Sequence, residues 1–389
     1  MNKLINNKMT NKADCCGCGA CAEICPKGCI TMKQDEEGFF YPAVDPAWCI
    51  DCGLCERVCP ILKKQAPQPT EVKAYAAYAA EDALRAQSSS GGLFTLLAEE
   101  ILSRGGYVAG AAFDEDLSVR HILVDNVRDL EKLRGSKYVQ SRMEDTYLCV
   151  KEQLQKGRPV LFTGVSCQVA GLKAYLGKEY ENLYTVDVLC HGVPSPKVWE
   201  QYLREQEADH REKPAAVSFR DKRTGWRRSS ISVKFADGAE YCRPGEENRY
   251  MQLFLRDICL RPSCHSCRFK SFPRLSDLTI GDAWGIEKQM PELDDDRGIS
   301  VVLVNSEKGQ KLFNKISFRL VSRQGQLDKL LPPDADSRKS VRPHANRAKF
   351  FAGLEQGQSL EQLTVLIRKS GYRRLLSWGK RTLKRLLGK

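Results

Sequence analysis

Beyond residue 73 the chain alternates short apolar runs with longer amphipathic stretches. Strand-like runs fall at Tyr107–Phe113, Val119–Val124, Val160–Thr163, Leu183–Leu189, Leu278–Gly281 and Ser300–Asn305, and helical spacing recurs near 93–103, 144–156, 168–177 and 196–207. That alternation predicts an α/β body, divided loosely near residue 155 into units 74–155 and 156–340. Residues 1–65 are dense in cysteine and read as a small α+β module, and a polar, proline-bearing linker at 66–73 joins them to the body. Residues 341–389 read as a helical tail. Its last part carries Tyr372, Leu375, Leu376, Leu383, Leu386 and Leu387 on one side and Arg and Lys on the other, the pattern of a basic amphipathic helix.

Composition narrows the classes. The 389 residues are 42% hydrophobic and 28% charged, with a mean hydropathy of −0.43, ordinary values for a globular chain. No apolar run approaches the roughly 18 residues of a membrane span, and the polar start lacks the apolar stretch of a signal peptide, so the expected location is the cytoplasm. The net charge of +12 is local: nine basic residues and no acidic one lie in 362–389, leaving residues 1–361 at +3. A nearly neutral body argues against nucleic-acid binding. The tail helix suits either the cytoplasmic face of an anionic membrane, with Trp378 at the interface, or packing on its own domain with a solvated basic face.

Seventeen cysteines without an export signal point to metal rather than to disulfides. Cys15-x2-Cys18-x2-Cys21-x3-Cys25-Pro26 recurs as Cys49-x2-Cys52-x2-Cys55-x3-Cys59-Pro60. This is the bacterial two-cluster ferredoxin run, in which the fourth cysteine of each run ligates the other cluster. One [4Fe–4S] cluster is assigned to Cys15, Cys18, Cys21 and Cys59, the other to Cys49, Cys52, Cys55 and Cys25. Cys16, Cys29, Cys149 and Cys242 receive no role.

Further along, Cys167 follows one strand and Cys190 ends another, so both face the carboxyl edge of the sheet, where ligands bind in open α/β folds. Cys264-x2-Cys267 can complete a four-thiolate set. Cys259-x4-Cys264-x2-Cys267 competes with it as a plant-type [2Fe–2S] run, and zinc on Cys264 and Cys267 is a third reading. Ser88–Gly92 opens a helix and suits a pyrophosphate, with Lys137 adding charge. Asp282 and Trp284 end a strand and could meet a ring system. Arg220, Lys222, Arg223, Arg227 and Arg228 suggest either an anion site or a solvated hairpin.

The segments Ser88-Ser-Ser-Gly-Gly-Leu-Phe94, Gly135-Ser-Lys-Tyr-Val-Gln140, Phe162-Thr-Gly-Val-Ser-Cys-Gln168, Leu189-Cys-His-Gly-Val-Pro-Ser195, Phe219-Arg-Asp-Lys222 with Gly225-Trp226, Cys264-x2-Cys267 and Asp277-Leu-Thr-Ile-Gly-Asp-Ala-Trp-Gly285 resemble the coenzyme F420-reducing hydrogenase and formate dehydrogenase beta-subunit family. The resemblance spans about 74–305, and with the N-terminal module it covers roughly three quarters of the chain. It departs at Gly164-Val-Ser-Cys167, where relatives commonly have proline before the cysteine. The resemblance implies a ferredoxin-like module followed by a flavin- and cluster-binding body. It also implies a third [4Fe–4S] cluster on Cys167, Cys190, Cys264 and Cys267, since a counterpart of Cys259 can be missing from relatives. FAD is expected near Ser90, Gly91, Gly92, Gly135, Ser136, Lys137, Asp282 and Trp284.

His191 is the catalytic candidate, as a proton donor or as a hydrogen-bond partner of a cluster sulfur. Two functions follow. In the first, a ferredoxin or flavodoxin-type donor supplies electrons through three clusters and FAD to a small organic acceptor, as in the surface-polysaccharide pathways to which some bacterial relatives belong, or to F420 itself. In the second, the chain is an electron-transfer subunit serving a separate hydrogenase- or dehydrogenase-type partner.

Overall fold

The structure is a computed structural model, and it describes residues 11–63 and 71–367. The amphipathic tail expected beyond residue 367, and most of the 66–73 linker, lie outside the described residues.

The cysteine-rich segment holds a two-stranded hairpin, β1 (Ile30–Gln34) and β2 (Phe40–Val44), and two single-turn helices, Ala20–Glu23 and Leu54–Arg57. Each helix lies inside a cysteine run and is opened by a glycine with a left-handed backbone, Gly19 at φ +79° and Gly53 at φ +69°.

One eight-stranded mixed sheet organises the body. Its strands are β3 (Lys73–Ala79), β4 (Tyr107–Phe113), β5 (Val119–Val124), β6 (Val160–Val165), β7 (Leu183–Val188), β11 (Leu278–Asp282), β12 (Ser300–Val304) and β13 (Leu320–Gly325). They lie in the order β13-β3-β12-β11-β7-β6-β4-β5, with β4, β6, β7 and β11 mutually parallel and the outer pairings antiparallel. Strands from both sides of residue 155 therefore share one sheet. The parallel strands are apolar along most of their length, as burial on both faces demands: Val160, Leu161 and Phe162 are all fully buried. One face is covered by the helices Leu93–Leu102 and Glu307–Ile316. The other is covered by Thr146–Gln155 and Ser166–Leu176.

A second, antiparallel sheet of β8 (Pro214–Asp221), β9 (Ser230–Phe235) and β10 (Glu240–Pro244) packs Phe219, Ile231 and Val233 against Trp199 and Tyr202 of the helix Pro196–His210.

The N-terminal segment is built into the body. Phe39 is fully buried and edge-on to Phe351, with ring centroids 6.4 Å apart, while Cys18, Ala20 and Val58 join the core under Tyr147 and Leu172. The hairpin tip sits on the start of the Pro196–His210 helix so closely that a Cβ on Gly38 would stand 2.3 Å from Lys197 Cβ. Glu37 pairs with Arg347, and Glu23 accepts the amides of Tyr147 (2.8 Å) and Leu148 (3.1 Å), satisfying the start of the Thr146–Gln155 helix. Phe39→Ala should accordingly destabilise the whole protein by about 3–5 kcal/mol, as measured by denaturant unfolding of anaerobically purified protein. A loss under 1 kcal/mol would show that the hairpin adds little to the common core.

Candidate functional site

The thiols fall into three neighbouring groups. Cys21 interacts electrostatically with Cys15, Cys59 and Cys55. Cys25, Cys49, Cys52 and Cys55 line one small hollow. Cys190 feels Cys264 and Cys267 most strongly, and Cys167 feels both Cys267 and Cys190.

Parallel strand pairing explains the third group. Because β6 and β7 run side by side, the helix start at Cys167 and the loop at Cys190 emerge at the same carboxyl edge. The 190–194 loop then runs beside 260–264: Arg261 N–H donates to the Val193 carbonyl (2.8 Å), and Val193 N–H donates to Cys264 Sγ (3.3 Å). Cys259 is set apart, fully buried among Ile258, Leu260 and Tyr250.

Burial pushes the Cys190 thiol up to about 12 and the Cys264 thiol up to about 11, while Lys270 acts in the opposite sense on both. Thiols held this way do not ionise by themselves near neutrality, so binding metal must displace their protons. Among the described residues no three His, Cys, Asp or Glu side chains are gathered closely enough to hold a single metal ion.

Two cysteines without an expected role lie inside these groups. Cys29 Sγ is 3.3 Å from Cys25 Sγ. Cys16 hydrogen-bonds with both Cys167 and Cys18, which holds its thiol well below its ordinary value, so it bridges the first and third groups. The doubled motif accounts for eight cysteines and gives no reason to look at a ninth beside Cys15; only the fold brings Cys167 to it.

A cavity of about 880 Å³ begins at Cys16, Cys167, Cys190 and His191 and extends past Ser88–Ser90, Arg134–Gln140, Asp282 and Trp284. Of the expected flavin residues, Ser90, Gly92, Gly135, Ser136, Lys137, Asp282 and Trp284 line it. Gly91 is instead buried against the sheet, its N–H donating to Ser300 Oγ (3.0 Å). Lys137 Nζ donates to the carbonyls of Lys132 and Arg134, and burial pulls its pKa down to about 7. Trp284, half exposed, stacks on buried Trp226 at 4.7 Å and 7°, and the Trp226 indole N–H donates to Asp282 (2.9 Å). Among the described residues the Nε–H groups of Arg134 and Arg220 are buried without an acceptor where they line the cavity, while the rest of the Arg220 guanidinium pairs with Asp282 (3.3 Å). Such orphaned cationic donors fit an anionic occupant.

His191 Nε2 lies 2.7 Å from Asp257, and Nδ1 lies 3.7 Å from Asp336. The remaining basic residues are largely paired: Arg223 with Asp221 and Glu240, Arg227 with Asp294, and Arg228 with Glu246 and Glu247. Much of the charge of that region is thus paired with carboxylates, while Arg220, Arg227 and Arg228 also line the cavity.

Comparison with known proteins matches three stretches of the chain. Residues 157–326 match the family model for the C terminus of the coenzyme F420 hydrogenase/dehydrogenase beta subunit, and residues 74–146 match the model for its N-terminal part. The chain belongs to this beta-subunit family. A 4Fe-4S dicluster domain precedes the beta-subunit body at residues 14–61, so the chain is an iron–sulfur oxidoreductase subunit. Among solved structures, a chain of the F420-reducing [NiFe] hydrogenase complex from Methanosarcina barkeri is similar at 18% identity and a TM-score of 0.47, covering 75% of this chain and 94% of that one. No curated protein matches the sequence. No helix among the described residues is long and apolar enough to cross a membrane.

In this beta-subunit-family chain the loops at Cys167 and Cys190 are tied together through one buried carboxylate. Asp187 accepts from Arg274 Nη1 (2.9 Å), Ser276 Oγ (2.8 Å) and Ser166 Oγ, and both partners of the ion pair are fully buried. Removing one partner of such a pair leaves the other charge uncompensated. Asp187→Ala should cost about 3–5 kcal/mol in urea unfolding, whereas a cost near zero would mean that water reaches Arg274.

Proposed function

We infer that the chain is an electron-transfer subunit that passes electrons between [4Fe–4S] clusters and a bound flavin on behalf of a separate catalytic partner. The observation that carries this reading is the cavity with cysteines Cys16, Cys167 and Cys190 at one end and the Ser88–Gly92 segment with Arg134, Lys137 and Arg220 at the other. In this reading the third cluster is held by Cys167, Cys190, Cys264 and Cys267, next to the N-terminal pair on Cys15, Cys18, Cys21 and Cys59 and on Cys25, Cys49, Cys52 and Cys55.

FAD fits the cavity's size and its orphaned cationic donors. A flavin there supplies the exchange between one-electron and two-electron chemistry. Arg134 and Lys137 would neutralise its phosphates, and the Trp226–Trp284 stack, fixed by Asp282, would offer a flat apolar wall. His191, whose two ring nitrogens face Asp257 and Asp336, would orient the Cys190 loop beside the cavity. A reductase of its own small organic substrate, fed by a ferredoxin or flavodoxin, would use the same groups; the beta-subunit family favours the partner-dependent reading.

Anaerobic purification should yield about twelve irons, about twelve sulfides and one FAD per chain. Cys264→Ser should lose about four of those irons and keep the N-terminal pair; loss of none overturns the third site. Protein reduced by dithionite should pass electrons to one-electron dyes unaided, yet turn over a hydride substrate only when the hydrogenase or dehydrogenase partner is added. Turnover by the isolated chain would reverse the assignment.

Lys137 sets a pH dependence. In the free protein its proton leaves near pH 7, while phosphates in the complex would retain it, so FAD binding takes up a proton above that pH. The FAD dissociation constant should be flat below pH 7 and rise by up to about tenfold per pH unit above it. Lys137→Met should remove the slope; a flat profile in the unaltered protein would place the phosphates elsewhere.

A further inference from the structure

Arg261 is a fully buried cation with no carboxylate partner among the described residues. It is 1% exposed, and it donates to uncharged acceptors: Nε–H to the Cys15 carbonyl (2.8 Å) and Nη1–H to Gln140 Oε1 (3.3 Å). Nη2 is buried with no hydrogen-bond partner. The guanidinium lies over the Tyr41 ring at 4.1 Å and 5.6 Å from that of Phe39. No carboxylate forms an ion pair with it among the described residues, unlike buried Arg274 with Asp187 or Arg85 with Asp295. Its strongest electrostatic neighbours are Cys15, Tyr41, Cys16 and Cys264.

An unpaired charge at such depth is expensive unless something negative comes to it. Position says what that is. Arg261 stands three residues before Cys264, whose N–H donates to the Arg261 carbonyl (2.9 Å), and its side chain reaches across to the first cysteine run. The reach is exclusive: a Cβ on Gly17, between Cys15 and Cys18, would stand 2.9 Å from the guanidinium carbon and 2.6 Å from Gln140 Nε2. The same wall joins the two groups at a second point, where Tyr147 Oη donates toward the carbonyls of Cys18 (2.8 Å) and Gln168 (3.1 Å), and a Cβ on Gly171 would stand 3.1 Å from Cys18 Sγ. Gly171 lies about one helical turn after Cys167, so the helix that starts at the third group also packs against Cys18 of the first. In the hollow shared by Cys25, Cys49, Cys52 and Cys55 the basic residue is the exposed Lys27, whose charge water screens.

We propose that Arg261 is the shared counter-cation of the first and third clusters, a positioning residue that makes both easier to reduce than the second and so draws electrons toward the cavity. A cluster with four thiolates is anionic and gains another negative charge on reduction, so a fixed cation stabilises the reduced form and raises the potential. Since Arg261 touches both loops, its effect falls on two clusters at once. The order of transfer is then second cluster, first cluster, third cluster, with the Cys49–Cys55 run as the outer end; Cys52 there is exposed, as are Trp48 and Ile50.

The inference rests on the three-cluster reading above, and the test separates the two. Redox titration followed by EPR is run on the full chain, with Cys264→Ser used to assign the third cluster's signal. In Arg261→Gln the first and third midpoint potentials should both move negative, with the second unchanged and iron content preserved. Arg261→Lys should restore most of the shift. Should Arg261→Gln fail to fold, Gln140→Glu sets a carboxylate against Nη1 and should move the same two potentials in the same direction. Unaltered protein with about eight irons would remove the three-cluster reading itself. About twelve irons with potentials indifferent to these substitutions, or a shift in one cluster alone, would overturn the shared cation while leaving that reading intact.

Discussion

Negative charge cannot be gathered in a protein interior without positive charge brought close to it, and the architecture around the cysteines meets that constraint. Lys270 is 5% exposed and donates to the carbonyls of His191 and Lys339 (2.9 Å each) and of Asp336. Arg274 is paired with Asp187, and Arg261 faces the first cysteine run. Each of these cations comes from the segment 261–274, so one stretch of chain supplies both two thiols and the charges that surround them.

The second consequence is mechanical. Electron transfer between clusters needs a short, fixed separation, and the N-terminal segment is held by more than surface contact. Phe39 lies in the body's own core, Glu23 caps the Thr146–Gln155 helix, Glu37 pairs with Arg347, and Tyr147 spans the Cys18 and Gln168 carbonyls. The dicluster domain and the beta-subunit body thus share apolar cores as well as polar ties. Loosening the hairpin would expose core residues and separate the thiol groups in one event.

Much of the scaffold was legible before folding. The runs at Tyr107–Phe113 and Val119–Val124 are strands over those same residues and pair antiparallel across the short turn between them. The carboxyl-edge argument for Cys167 and Cys190 needed only two parallel strands. What escaped the pattern did so for identifiable reasons. β3 reads Lys-Ala-Tyr-Ala-Ala-Tyr-Ala, and alanine has little strand preference of its own; it is a strand because β12 and β13 pair with it on both sides. For the basic cluster around Gly225-Trp226 the pattern left an anion site and a solvated hairpin both open, because acidic partners such as Asp294, Glu246 and Glu247 lie 18 or more residues away in sequence.

The amino-acid sequence alone determined the chemistry of the donor groups, since the spacing of a doubled cysteine run constrains which thiols can reach one cube, and it determined the strand-and-helix alternation that puts Cys167 and Cys190 on a common edge. Only the tertiary structure decided that Cys16 stands between two thiol groups, that Gly91 supports the sheet while its neighbours line the cavity, and that Arg261 finds no carboxylate among the described residues. Those facts depend on contacts between residues up to 246 positions apart, and local periodicity carries no information about such contacts. A residue's charge is written in its side chain, but whether that charge finds a partner is settled by what folding brings beside it.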